Sequence, residues 1–147
     1  MHTSITVGQV LRSKGTGYWS VAPSTTVYEA LEIMADKNVG ALLVLEDGKL
    51  LGVFSERDYA RKVILKGKAS KKTAVQELMT SPPICIGPEQ SIHECMVLMT
   101  KNRIRHVPVM DQRGLIGLVS IGDVVNSIIS DQEAVIEELE SYITVGY

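Results

Sequence analysis

The stretch LLGVFSERD at residues 50–58 decides how the chain folds, and a related stretch, LIGLVSIGD, occupies residues 115–123. Each begins with apolar residues typical of a strand and has glycine at its third position. Each then reaches a serine, with an aspartate three residues later, where a helical pattern begins. The same strand-to-helix corner therefore occurs twice, 65 residues apart.

The similarity extends well beyond this corner, because a shift of 65 residues aligns positions from about 21 to 129 without a gap. Each repeat has the pattern of strand, helix, strand, strand and helix. Its first helix begins with a capping box, at Thr26–Glu29 and again at Ser91–Glu94. This duplication predicts two copies of one unit, each small for a stable domain, whose sheets pack face to face.

We divide the chain into a lead-in plus first repeat (residues 1–72), a second repeat (residues 73–129) and an acidic extension (residues 130–147). Val7, Val10 and Leu11 have the spacing of a short amphipathic helix in the lead-in. The extension has helical spacing at Ile136, Leu139 and Ile143, and it could clasp a second copy of the chain. The predicted fold class is α/β, in the α+β sense: two β-α-β-β-α units with pseudo-twofold symmetry.

Composition favours a globular protein. The 147 residues are 45% hydrophobic and 22% charged, with a net charge of -2, so nothing indicates a general affinity for nucleic acid or an anionic membrane. Apolar runs such as Ala41–Leu45 have the length of strands, which predicts no membrane span. No export signal is visible, and Cys85 and Cys95 have the spacing of core residues. We therefore expect a cytoplasmic protein.

The sequence lacks the common catalytic signatures. It contains no glycine-rich phosphate loop and no Gly-x-Ser-x-Gly motif. Its three histidines and two cysteines do not have the paired spacing of a zinc site. We predict a binding protein without catalytic residues and without a required metal.

The two Ser-x-x-Asp corners allow two interpretations, which can both hold. Ser55 and Ser120 can be helix N-caps, with Asp58 and Asp123 in the first helical turn. The aspartates can also accept hydrogen bonds from the hydroxyls of a ribose, as acidic side chains do in other nucleotide sites. A cap by itself does not explain why each corner follows a Leu-x-Gly strand.

The segment RHVPV at residues 105–109 contains a proline inside a predicted strand. Proline removes a backbone donor, so this strand lies at an edge or faces something other than a strand, such as an adenine ring. A plain edge strand with solvated arginines is the alternative. The first repeat has Gly40 and Ala41 in place of Arg105 and His106, so two sites built this way would not be equivalent.

A basic region extends from Arg57 to Lys72. Its lysines fit a solvated helix face and a flexible linker, whereas Arg57 and Arg61 could reach the phosphates of a ligand. A nucleic-acid-associated regulator that uses this region is an alternative function. The overall charge and the absence of aromatic residues among these cations make nucleic-acid binding the weaker interpretation.

The duplicated unit, the RHVPV strand and the Gly-x-x-Ser-x-x-Asp corner resemble a tandem pair of CBS domains (cystathionine-β-synthase-type repeats), also called a Bateman module. The segments SERDYAR at 55–61 and SIGD at 120–123 resemble the small stand-alone members of this family. The resemblance covers residues from about 7 to 129. It implies a non-catalytic sensor whose two clefts bind AMP, ADP, ATP or another adenosyl compound such as NAD, usually as a homodimer that regulates another protein.

The positions that match the family's motifs group the site residues by repeat. The resemblance assigns Val21, Val39, Ala41, Leu42, Ser55, Arg57 and Asp58 to the first cleft. Phosphate contacts in that cleft would come from Arg57, Arg61 or the other repeat. It assigns Ile86, Arg105, His106, Val107, Pro108, Ser120 and Asp123 to the second cleft. Because the first repeat lacks the basic pair, we expect Asp123→Ala to weaken nucleotide binding more than Asp58→Ala. A module that binds only proteins is the remaining alternative.

Overall fold

The computed structural model describes residues 5–15 and 17–145, with side chains up to residue 141. The helices are α1 (Val7–Lys14), α2 (Val27–Lys37), α3 (Glu56–Asp58), α4 (Ile92–Asn102) and α5 (Ile121–Val145). The strands are β1 (Ser20–Val21), β2 (Ala41–Glu46), β3 (Lys49–Ser55), β4 (His106–Asp111) and β5 (Gly114–Ser120). A π-helical segment, Tyr59–Ile64, continues α3, and a 3₁₀ turn covers Val75–Glu77. The predicted α/β class is confirmed.

Side-chain caps begin the first helix of each repeat where the sequence predicts them. The Thr26 hydroxyl accepts the backbone N–H of Glu29 at 3.2 Å. Ser91 and Glu94 form the complete capping box, with both reciprocal bonds. The described contacts of Thr26 include no return bond from the Glu29 carboxylate, so the predicted box is half formed there. Local capping chemistry therefore sets both helix starts.

Two hairpins build the two sheets. β2 pairs antiparallel with β3 and parallel with β1, and β4 pairs antiparallel with β5. The register shifts once in each hairpin, after Val44 and after Val109, which are equivalent positions. Asp47 and Gly48 form the first turn with φ of 51° and 76°, the positive values that a two-residue hairpin turn favours.

Pro108 makes the second sheet narrower than the first. In the first repeat, the Leu43 N–H donates to the carbonyl of Trp19 at 3.0 Å and holds the β1 segment against β2. Pro108 stands at the position of Leu43 and has no N–H. In the second repeat, the segment before α4 is held against β4 by Ile86, whose N–H donates to the Pro108 carbonyl at 3.0 Å. The expected edge position is therefore partly covered by Ile86.

The lead-in elements are exchanged between the repeats. α1 buries Val7, Val10 and Leu11 in the core that β4, β5 and α4 form. The 3₁₀ turn buries Val75, and Leu78 follows it, in the core of the first repeat. Each repeat is thus completed by the segment that precedes the other one.

This exchange follows the pseudo-twofold symmetry. The Val7 N–H donates to the Gln90 carbonyl and the Val75 N–H donates to the Thr25 carbonyl, both at 2.8 Å. The two donors are 68 residues apart and the two acceptors 65. The lead-in of the first repeat is therefore three residues longer than the lead-in of the second. The sheets meet face to face as predicted, with Leu43 and Leu118 in one shared cluster.

α5 is a single helix that continues from the second repeat into the acidic segment. Ile136 and Leu139 are about half exposed, at 53% and 56%. The side chain of Ile143 lies outside the described residues. None of the described helices has both the length and the apolar character that a membrane span requires.

Candidate functional site

The two Ser-x-x-Asp corners form helix caps, as one of the two interpretations predicts. Asp58 Oδ2 accepts the backbone N–H of Ser55 at 2.9 Å, and the Ser55 hydroxyl accepts the N–H of Asp58 at 3.2 Å. The corresponding distances for Ser120 and Asp123 are 2.8 and 3.1 Å. These reciprocal bonds hold each carboxylate in one orientation, at the wall of a cleft.

The glycine before each corner has a packing role. A Cβ added to Gly52 would lie 2.7 Å from the carbonyl oxygen of Thr80, and one added to Gly117 would lie 2.9 Å from Leu11. The lead-in segment of the opposite repeat passes over each glycine. The repeated Leu-x-Gly pattern is therefore explained by close packing of exchanged segments.

Two clefts lie between the repeats, and each combines residues of both. The Asp58 cleft has a volume of about 370 Å³ and joins α3 and its π-helical continuation to the segment 102–106. The Asp123 cleft has a volume of about 330 Å³ and joins the start of α5 to the segments 17–19 and 38–41. Each motif aspartate thus faces the strand entry of the opposite repeat.

The two clefts combine the predicted site residues differently from the grouping by repeat. Of the predicted residues, Ser55, Arg57, Asp58, Arg61, Arg105 and His106 line the Asp58 cleft. Val39, Ala41, His106, Ser120 and Asp123 line the Asp123 cleft. Val21, Leu42, Ile86, Val107 and Pro108 are buried in the cores and sheets and line neither cleft. The lining differs from the grouping by repeat because the face-to-face sheets place each corner opposite the other repeat's strands.

The structure also places in the clefts residues that the sequence analysis did not assign to them. Lys62, Thr80, Ile84, Asn102, Arg103 and Ile104 line the Asp58 cleft. Lys14, Gly17, Tyr18, Trp19, Asn38, Gly40 and Leu118 line the Asp123 cleft. Several are equivalent under the shift of 65, such as Trp19 with Ile84 and Asn38 with Arg103. Val39 was a predicted cleft residue, and applying the shift of 65 to it would have indicated Ile104 as a second one.

The Asp58 cleft concentrates positive charge. Arg57 donates from Nη1 to the Arg103 carbonyl at 3.4 Å, and Lys62 lies 3.1 Å from Asp58 Oδ1. The charge of Arg61, then desolvation and the charge of Arg105, lowers the pKa of Arg57. Like charges from both repeats are therefore held close together around one buried carboxylate.

The Asp123 cleft is nearly neutral and partly aromatic. Lys14 Nζ lies 2.5 Å from Asp123 Oδ2 and also donates to the Leu118 carbonyl at 2.8 Å. Burial raises the pKa of Asp123, but the hydrogen bonds from Lys14 and Ser120 and the charge of Lys14 outweigh it, so the pKa is lowered. Trp19 lines this cleft beneath Lys37, whose Nζ lies 4.5 Å from the ring.

His106 lines both clefts. Its imidazole faces Gly40, where an added Cβ would lie 3.3 Å from Nε2. Burial lowers the pKa of His106. This side chain therefore lies where the two clefts adjoin.

The described residues contain no group of three or more acidic, histidine or cysteine side chains that could hold a metal ion. Cys95 is fully buried in the second core, and burial raises the pKa of its thiol to about 11. That thiol is protonated at neutral pH, which suits a core position.

Comparison with known proteins gives the family. The family model of the CBS domain matches residues 7–65 and again residues 75–130. The chain belongs to the CBS-domain family. The predicted tandem pair of CBS domains is confirmed.

Individual relatives support this assignment. The chain is 42% identical to the mitochondrial CBS domain-containing protein CBSX3 of Arabidopsis thaliana, over 98% of this chain and 74% of that protein. It is 48% identical to a protein with CBS domains from Burkholderia ambifaria that is assigned to signal transduction, with a TM-score of 0.83 over 86% of this chain and 96% of that one. A hexameric CBS-CP12 protein from bloom-forming cyanobacteria shares the fold at 23% identity, with a TM-score of 0.76 over 98% and 90% of the two chains.

CBS-domain pairs are regulatory, signal-transduction modules, and some of them form oligomers. The geometry of this pair fits such a role, since both clefts lie at the junction between the repeats. A ligand in either cleft would contact both halves at once.

Proposed function

We propose that this CBS pair is a non-catalytic regulatory module that binds an adenine nucleotide in the Asp58 cleft. One observation carries the proposal: Asp58, whose side chain is only 11% exposed, lies in a cleft with arginines from both repeats. The Asp58 carboxylate would accept the ribose hydroxyls, and the arginines would bind the phosphates as planar, multidentate donors. AMP, ADP, ATP and NAD all offer these groups.

Occupancy of this cleft would change how the repeats pack. Arg57 and Arg61 belong to the first repeat, whereas Arg103 and Arg105 belong to the second. A phosphate bound between them would draw the two sides together. It can shift the equilibrium between two arrangements only to the extent that it binds one more tightly. A target protein, and a second copy of the chain in a homodimer, would respond to that difference.

The first test is thermal unfolding of the full chain with AMP, ADP, ATP, NAD, NADH, S-adenosylmethionine, GTP or no ligand. A ligand that binds the folded state raises the midpoint by mass action. We expect shifts with adenosine nucleotides and a smaller shift or none with GTP. Flat curves across the panel would overturn the proposal in favour of a protein-interaction module. Turnover of ATP or NAD by the pure protein would overturn the proposal that the module is non-catalytic.

The cleft geometry also reverses the expected order of the two aspartate variants. Asp58→Ala should abolish the ligand-induced shift, since the arginines surround Asp58. Asp123→Ala should retain most of it, because Lys14 is the one cation among the described residues of that cleft. Each variant is compared with its own unliganded midpoint, which separates lost binding from lost stability. Equal losses in both variants would contradict the assignment to the Asp58 cleft.

The nucleic-acid alternative has a separate signature. Lys66, Lys68, Lys71 and Lys72 are exposed beyond the π-helical segment. If they bound oligonucleotides, affinity would fall steeply with salt and would not require Asp58.

The cytoplasmic location also stays a prediction, and the Arabidopsis relative is a mitochondrial protein by name.

A further inference from the structure

The two clefts occupy equivalent places in the pair and differ strongly in charge. Among the described lining residues, five cationic side chains surround the Asp58 carboxylate, whereas Lys14 alone accompanies the Asp123 carboxylate. The shift of 65 residues shows which substitutions produce the difference. Arg57, Arg61 and Lys62 correspond to Gly122, Asn126 and Ser127, while Arg103 and Arg105 correspond to Asn38 and Gly40.

Among the described lining residues of this cleft, Asp58 is the one acidic side chain for four arginines and Lys62. The one ion pair there joins Lys62 to Asp58, and Arg57 donates instead to a backbone carbonyl. Folding therefore assembles five positive charges around one carboxylate, and the excess positive charge costs stability through mutual repulsion. An anion with several negative oxygens would relieve that repulsion, and a single phosphate could satisfy it only in part.

Arg103 stands where local backbone preference favours another residue. It ends α4 with φ of 55°, and its equivalent Asn38 ends α2 with φ of 54°. Asparagine adopts this left-handed conformation readily, whereas arginine does so at some cost. A residue kept in a disfavoured conformation beside a cleft indicates a functional demand on its side chain.

We propose that the Asp58 cleft selects its ligand by a polyphosphate chain, with Arg103 and Arg105 as determinants, and that the Asp123 cleft binds no polyphosphate. This inference rests on the proposed nucleotide-binding function and names the ligand class. A nucleoside di- or triphosphate bridges the arginines of the two repeats. A nucleoside monophosphate leaves part of the cluster unpaired.

The test is a set of binding isotherms on the full chain, at fixed ionic strength and without divalent cations. The ligands are adenosine, AMP, ADP, ATP and inorganic tripolyphosphate. We expect affinity to rise from AMP through ADP to ATP, by about tenfold overall, which corresponds to one or two charge-assisted contacts. The ratio of ATP to AMP affinity should shrink at high salt, because screening shortens the range of charge interactions.

The equivalent residue of the first repeat, Asn38, supplies the critical variant. Arg103→Asn places at this position the residue found at Asn38, so the fold should be as stable as the wild type or more so. ATP affinity should fall by about fivefold or more, while AMP affinity should change less than about twofold. Arg113→Asn is the matched control, since it removes the same charge from an exposed hairpin turn. Lys14→Met should leave ATP affinity within about twofold of the wild type.

The outcomes separate the two proposals. If AMP binds as tightly as ATP, polyphosphate selection is overturned while nucleotide binding stands. If tripolyphosphate binds as tightly as ATP and adenosine gives no binding, the charge cluster is confirmed and the adenine-nucleotide function is overturned. If Arg103→Asn weakens AMP and ATP equally, or Lys14→Met weakens ATP as much as Arg103→Asn does, the assignment of determinants is overturned.

Discussion

Lys14 and Asp123 are 109 positions apart in the chain and form an ion pair, with 2.5 Å between Nζ and Oδ2. Lys14 lies at the end of α1, and Asp123 lies in the first turn of α5. The pair therefore fastens the N-terminal lead-in to the second repeat. It also gives one of the two motif aspartates an internal cation, whereas Asp58 stands in a cleft crowded with arginines.

Lys14→Met should lower the free energy of unfolding at pH 7 by about 1 kcal/mol, because Asp123 loses its charged donor. Burial raises the pKa of Asp123, yet the bonds from Lys14 and Ser120 bring it below its usual value. A carboxyl with a lowered folded-state pKa stabilises the fold above its unfolded pKa, about 3.9, and that stabilisation is lost as pH falls. The gap between wild type and variant, measured by urea unfolding, should be constant from about pH 6 to 8 and should shrink below about pH 4.

Lys101→Met, at an exposed position of α4, is the control for this measurement and should change stability by less than about 0.5 kcal/mol. A gap that widened on acidification would contradict the assigned role of the pair.

Gly52→Ala should destabilise the protein by about 1–3 kcal/mol, because the new methyl group would meet the Thr80 carbonyl oxygen at 2.7 Å. Gly117→Ala should cost less, since its nearest neighbour at 2.9 Å is the end of the flexible Leu11 side chain. Thermal and urea unfolding of the two variants test this order. A larger loss for Gly117→Ala would show that the Leu11 side chain cannot yield.

Leu11→Ala should lower the free energy of unfolding by about 2–4 kcal/mol, although Leu11 belongs to the lead-in of the first repeat, because it is 2% exposed in the second core. Amide exchange should accelerate first in β4 and β5. Leu65→Ala is the control, since Leu65 is 78% exposed. Faster exchange confined to β2 and β3 would contradict the exchanged packing of α1.

The double variant Leu11→Ala with Gly117→Ala gives an independent check. The space left by Leu11 can accept the added methyl group, so the double variant should lose less stability than the sum of the single losses. Strict additivity would show that the two positions do not touch.

His106→Gln should remove a pH dependence from the fold. Burial lowers the pKa of His106; Asp123 and Asp58 oppose that lowering, and Lys14 and Arg105 add to it. A histidine whose pKa is lowered binds its proton more readily in the unfolded chain, so the fold loses stability as pH falls through about 6.5. Between about pH 7 and 5, wild-type stability should therefore fall relative to the variant in urea unfolding. A wild type that gained stability relative to the variant over this range would refute the assignment.

Local patterns predicted the elements well, because they depend on neighbours in the chain. The side-chain caps at Thr26, Ser55 and Ser91 are interactions between residues three positions apart. They therefore mark the helix starts in the sequence itself. Pro108 predicted a strand with an unpaired backbone position for the same reason, because a missing N–H is a property of one residue. The candidate aspartates were found because the repeat marks them twice.

The grouping of the site could not be predicted in this way. Nothing in the periodicity around Arg105 says that its side chain lines a cleft with Asp58 of the other repeat. The sequence therefore favoured Asp123 as the better ligand site, and the structure places the arginines elsewhere. Arg103 was not assigned to a cleft, because its place beside Asp58 depends on how the two repeats pack.

The sequence by itself determined a duplicated unit, its hairpins and helix caps, and the two Ser-x-x-Asp corners, since these follow from propensities and short-range hydrogen bonds. Only the tertiary structure decided which lead-in completes which core and which strand entry faces which aspartate. Both repeats present similar apolar faces, so local pattern allows α1 to pack on either. Face-to-face packing of the two sheets selects one arrangement, and that arrangement brings Lys14 to Asp123 and the arginines to Asp58.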